Sequence, residues 1–165
     1  MSIHKVFLTL ILGSCGLSAL MAQTTPTVVT RQASFAPVGV ALTETMQVNL
    51  FNQASNSSNG TAASCTGSVS FVDASGKAIS GAGGTFTVAA GVTQPISLMG
   101  NKANSSTTTG SRAEIRAVVT LNIIHGTPCS LVDTLELFDS TTGALHLFLN
   151  GGNSISVPLP FGFKD

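Results

Sequence analysis

The chain has 165 residues, of which 8% are charged, with seven basic and seven acidic side chains that cancel to zero net charge. Nucleic acid is bound by clustered Lys and Arg that release counterions, and an anionic membrane surface needs a polybasic segment; with neither here, both partner classes are excluded as principal ligands. Nine Phe without Trp or Tyr remove the side chains that most often stack on sugars or anchor protein interfaces.

The first twenty-two residues read as a cleaved secretory signal peptide. Lys5 precedes an apolar run from Val6 to Leu12, and small residues lead to Ala22, after which Gln23-Thr24-Thr25 is polar. The run is too short to span a bilayer. Residues 23–165 are then expected as one extracytoplasmic domain, secreted or periplasmic, with 23–34 as a flexible lead-in and no transmembrane segment once the signal is gone. An alternative comes from Leu12-Gly13-Ser14-Cys15, which has the form of a lipobox in which Cys15 is acylated as a membrane anchor. The apolar Leu17, Leu20 and Met21 that follow argue for plain cleavage. About 140 residues remain, enough to bury a core in one domain.

Along this domain the elements are strands. Thr45 to Phe51 places Met46, Val48 and Leu50 on one face. Val69 with Phe71, Phe86 with Val88, and Ile96 with Leu98 give shorter alternations. The clearest run is Ala113 to Ile123, where Ala113, Ile115, Ala117, Val119, Leu121 and Ile123 face one way, while Arg112, Glu114, Arg116, Thr120 and Asn122 face the other. Its charged trio is expected to pair with neighbours across the sheet. Leu131 to Phe138 puts Leu131, Leu135 and Leu137 on a face shared with Asp133; Leu145, Leu147 and Leu149 are expected inward; and Ile155, Val157 and Leu159 form a last strand stopped by Pro160.

Polar, Gly-rich loops separate these runs at Asn52 to Ser64, Gly81 to Gly84, Asn101 to Gly110 and Gly151 to Asn153. Asp73 to Gly76 and Asp139 to Gly143 read as hairpin turns in which the aspartate bonds its own backbone and the glycine supplies positive φ. Asn56, Asn59 and Asn104 head N-x-S/T triplets, frequent by chance in so Asn-, Ser- and Thr-rich a chain, and no glycan is predicted. Seven to nine short strands without helical periodicity predict an all-β, antiparallel Ig-like sandwich. Cys65 and Cys129, the pair left after Cys15 departs with the signal, are expected as a structural disulfide.

Phe35-Ala36-Pro37-Val38-Gly39 leading into Thr43-Glu44-Thr45-Met46-Gln47-Val48-Asn49-Leu50-Phe51-Asn52 resembles the opening of bacterial Ig-like modules, in which an F-x-P-V-G phrase precedes a T-x-x-V-x-L-x-N strand. With Cys65 to Phe71 and Leu135 to Gly143, the domain resembles a group of small secreted bacterial Ig-like β-sandwich proteins of uncharacterised type. The resemblance implies the fold and carries no activity, cofactor or site residue.

Chemistry is sparsely signalled. His125 and His146, with Asp133, Glu136 and Asp139 as possible partners, show no metal-ligand spacing, and His125-Gly126-Thr127-Pro128-Cys129 lacks the ligands of a copper site. No G-x-S-x-G elbow occurs, Glu136 and Asp139 are not expected to converge, and Gly81-Ala82-Gly83-Gly84 lacks the Lys of a phosphate cradle. The reading is therefore no catalytic residue, no metal and no cofactor. It leaves a non-catalytic structural or interaction module whose partner is a protein or envelope component of unknown identity. The alternatives are a pilin-like subunit assembling by strand donation and, third, a small-ligand or metal-binding protein.

Overall fold

The computed structural model describes residues 28–56, 60, 63–103, 111–125 and 127–151, and the backbone of 155–157. The expected signal peptide with Cys15, the triplets headed by Asn59 and Asn104, and the Leu159-Pro160 strand end lie outside them. Among the described residues no helix is long and apolar enough to cross a membrane.

Among the described residues, ten strands and a single helical turn make up the element order. They are β1 (Val28–Ser34), β2 (Val38–Val40), β3 (Glu44–Asn52), β4 (Ser64–Asp73), β5 (Gly84–Ala89), β6 (Thr93–Met99), α1 (Gly100–Ala103), β7 (Ala113–Ile124), β8 (Cys129–Asp139), β9 (Leu145–Asn150) and β10 (Ile155–Val157). They form two antiparallel sheets. In the first, β1 and β2 both pair with β7, followed by β4 and β5; in the second, β9 and β10 both pair with β8, followed by β3 and β6. The ten strands thus fill eight sheet positions, because each sheet has one edge made of two consecutive pieces.

The segment assigned to the lead-in therefore contains a strand from Val28 onward. Its seven residues pair with Ile124 through Val118. Only Ala33 of the seven is buried, so β1 is exposed on both faces for most of its length and has no alternation to betray it.

The core lies between the sheets. Val40, Met46, Val48, Leu50, Val69, Phe71, Phe86, Val88, Leu98, Leu131, Leu135 and Leu137 are all buried there, as are Ile115, Ala117, Val119, Leu121 and Ile123 of the set expected inward on β7, whose Ala113 is partly buried. Cys65 on β4 and Cys129 on β8 are bonded across the two sheets, Cα atoms 5.1 Å apart, at positions separated by 64 in sequence. This is the expected staple, tying the sheets together inside the core.

Leu145 departs from its expected place. Leu137 pairs with Leu147, but Phe138 pairs with Leu145, so His146 is an extra residue opposite the Leu137/Phe138 step. Such a β-bulge reverses the facing of the chain on one side of it. Leu147 and Leu149 keep their inward, partly buried positions, while Leu145 turns out to solvent at 58% exposure.

Candidate functional site

A concentrated polar cluster that joins the two sheets is built on Glu44. Counting back by two from Leu50, Val48 and Met46 puts Glu44 on the inward face of β3, and its side chain is 2% exposed. A carboxylate so buried needs partners. Its Oε2 accepts the Ala41 backbone N–H at 2.8 Å, while the Glu44 N–H bonds back to the Ala41 carbonyl, closing the β2–β3 corner twice. Its Oε1 accepts from Arg112 Nη2 at 2.6 Å and from His146 Nδ1 at 2.8 Å.

Each partner is delivered by a local feature. Arg112 immediately precedes β7, beside β2, and donates a second bond through Nη1 to the Gly39 carbonyl at 2.7 Å. Glycine at 39 leaves room for the arginine stem, since a Cβ there would lie 3.3 Å from Arg112 Cδ. His146 is the bulge residue, whose displacement from the regular register aims its ring at Glu44. The cluster joins β3 and β9 of one sheet to the β2–β7 end of the other.

Burial opposes the charge on Glu44, but the Ala41 N–H, His146 and Arg112 together outweigh it and hold the carboxyl below its usual range. An ionised carboxylate only accepts, so Nδ1 of His146 carries the proton and Nε2 is its remaining ring nitrogen. A carboxylate-oriented imidazole is half of an acid–base dyad. Among the described residues no serine or cysteine hydrogen-bonds to His146, and no group of three His, Cys, Asp or Glu side chains could hold a metal. The cluster acts as a brace between the sheets.

The residues singled out from the sequence do not join it, apart from His146. His125 follows the far end of β7 from Arg112, so the length of the strand, roughly 35–40 Å, separates the two histidines. Asp133 is buried on the inward face of β8, its Oδ2 without a hydrogen-bond partner, and burial pushes its carboxyl above the ordinary aspartate range. Gly151, whose N–H bonds the Asp133 carbonyl, packs so tightly that a Cβ would overlap both carboxylate oxygens. Glu136 lies on the opposite face of β8, and Asp139 is used by its own turn, its Oδ1 accepting from Thr141 N–H, Thr142 N–H and the Thr142 hydroxyl. Asp73 makes the equivalent turn with Ser75 and Lys77.

Arg112 was expected to pair along its own sheet and instead reaches across to β3. Glu44 itself passed unnoticed, although the alternation that places Met46 inward also places Glu44 there.

Comparison with protein-family models, curated proteins and solved structures finds no match. The surface must therefore speak through its own chemistry. Each sheet has two edges, and an edge strand exposes unpaired backbone groups that proteins commonly guard with charge, proline or a break. Edge β6 carries Pro95, and the β1–β2 edge carries Arg31 and is broken at Phe35 to Pro37. Edge β5 exposes only Gly84, Thr85, Thr87 and Ala89. Edge β9 has no Lys, Arg, Asp, Glu or Pro in Leu145–Asn150, and exposes Leu145 and, at 48%, Phe148.

Proposed function

We propose that this chain is a non-catalytic extracytoplasmic interaction module that engages a β-strand partner along β9. The observation that carries the reading is β9 itself, which carries neither charge nor proline and exposes Leu145 and Phe148, where β6 carries proline, β1 carries Arg31 and β5 exposes only small residues. Strand addition supplies affinity through main-chain hydrogen bonds and specificity through alternate side chains, and it needs no catalytic group, metal or cofactor. The leader sequence and the inter-sheet disulfide support an oxidising compartment outside the cytoplasm.

The Ig-like reading of the fold is supported by two packed antiparallel sheets and a disulfide between them. The last two strands, β9 and β10, are consecutive pieces of one edge, both beside β8 in the second sheet. All eight sheet positions are filled by strands of the one chain, so an incoming strand would extend an edge. This favours an interaction module over a pilin-like subunit that waits for a donated strand.

The test is capture from envelope fractions by the processed protein and by its Phe148→Lys variant. Saturable capture that the variant loses is the expected result. Equal capture by both proteins, or no capture by a wild type that is also monomeric, overturns the reading.

A further inference from the structure

We infer that the partner of β9 is a second copy of this chain, the two β9 strands pairing antiparallel about a two-fold axis that passes beside Phe148. The inference rests on the proposed use of β9 as the binding edge.

The backbone decides the register. Gly151 donates its N–H to the Asp133 carbonyl, so Gly151 directs its hydrogen-bonding groups toward β8. Successive residues of a strand direct these groups to alternate sides, so Leu149 also turns them to β8, while Phe148 and Asn150 turn theirs to the free edge. A two-fold antiparallel pair must place outward-directed residues opposite each other and must keep like faces together. Both conditions are met when Phe148 lies opposite Phe148 of the second copy. The two then exchange a pair of backbone hydrogen bonds across the axis.

The side chains fit the same register. Leu147 falls opposite Leu149 on the inward face, where both are only partly buried in the single chain. In this register no charged side chain meets its like, since Leu145–Asn150 contains no Lys, Arg, Asp or Glu. The two Phe148 rings meet on the outer face, as an aromatic cross-strand pair. The nearest acid on that face is Glu136, which pairs with Phe148 on β8. The two copies of Glu136 would be three strand spacings apart, about 14 Å, beyond the screening length of about 8 Å at physiological salt. An edge that carries no formal charge is compatible with its own copy, whereas the β1 edge would set Arg31 near its symmetry mate.

The experiment measures the mass of the processed protein in solution by light scattering over a dilution series, for wild type, Phe148→Lys and Phe148→Cys. Wild type is expected at twice the chain mass, falling to one chain on dilution. Phe148→Lys is expected at one chain mass throughout, with its Cys65–Cys129 bond and its strand circular dichroism unchanged. A hydrogen-bonded antiparallel pair sets Cα atoms about 5.5 Å apart, within disulfide reach, so Phe148→Cys is expected to form a covalent dimer on mild oxidation. Ser97→Cys, on the distant β6 edge of the same sheet, is not.

A wild-type monomer at every concentration overturns the second-copy inference. If that monomer still captures an envelope component in a Phe148→Lys-sensitive manner, the strand-addition reading stands with a different partner. If no such capture occurs, both fail. Equal cross-linking of the Phe148→Cys and Ser97→Cys variants also overturns the proposed axis.

Discussion

Replacing Arg112 by Met should destabilise the fold more than replacing Glu44 by Gln, although both changes break the same ion pair. The asymmetry follows from burial. Glu44 is 2% exposed, whereas the Arg112 and His146 side chains are 52% and 42% exposed. Arg112→Met leaves a buried carboxylate with only the Ala41 N–H and His146, and stranding a buried charge costs 3–5 kcal/mol when nothing compensates; the two remaining bonds bring this to about 2–3 kcal/mol. Glu44→Gln leaves behind one cationic group, Arg112, that water can reach. It retains an oxygen acceptor and costs about 1 kcal/mol. At roughly 3–5 °C per kcal/mol for a domain of this size, the variants should melt about 8–12 °C and about 4 °C below wild type in reversible thermal unfolding at pH 7 with the disulfide intact. The pH dependence gives a second reading of the same physics. Because the folded-state pKa of Glu44 lies below 4.5, its ionised form stabilises the fold above that value, and the contribution is lost as pH falls through the folded pKa. Without Arg112 burial has less to oppose it and the carboxyl takes up its proton earlier, so the gap between wild type and Arg112→Met should narrow on acidification. Equal melting temperatures for the two variants at pH 7, or a gap that does not change with pH, would refute the reasoning.

Three further outcomes are expected. Replacing both Cys65 and Cys129 by Ala should cost about 4 kcal/mol in denaturant unfolding, the chain-entropy value for a loop of 64 residues, while leaving the native strand signal unchanged at low denaturant. Gly151→Ala should destabilise the fold because its methyl overlaps the Asp133 carboxylate, and adding Asp133→Ala should recover stability, a coupling that a double-mutant cycle measures as non-additive. Asp133→Asn should raise stability at pH 7 by about 1 kcal/mol, since the folded carboxyl is held above 3.8 and its charge opposes folding. The sign is opposite to that of Glu44: stability linked to Asp133 increases as pH falls toward 3.8, so the advantage of the asparagine variant should shrink in acid.

The parts of the fold legible in the sequence are those in which a physical period runs unbroken. β3 and β7 alternate because one face of each lies on the core, and the inward residues named from period two are buried there, Ala113 only in part; β8 alternates less cleanly in sequence, with Asp133 among its inward leucines. The aspartate turns were legible because Asp73 and Asp139 carry their partners within a few residues. Two things were illegible for definite reasons. β1 sits at an edge with one residue of seven buried, so it shows no alternation. The polar cluster draws Glu44, Arg112 and His146 from three distant places, and two of the three sit at strand boundaries where the period gives no warning of what they meet. Only Glu44 left a trace, its place two residues before Met46.

A single inserted residue underlies both the brace and the exposed edge. Without the bulge at His146, period two would carry Leu145 inward beside Leu147 and Leu149, as the sequence suggests, and the start of β9 would be covered. With it, the imidazole turns in to a buried carboxylate and the leucine turns out. The apolar burial lost at Leu145 is about that of one large aliphatic side chain, a cost of 1.5–3 kcal/mol when complete and less here, where the site lies at the rim. The His146–Glu44 bond offsets part of this, and it holds β9 in register while leaving the outward backbone groups of Phe148 and Asn150 unpaired among the described strands. Deleting His146 should therefore restore regular pairing, bury Leu145, and remove the anchored edge on which strand addition depends.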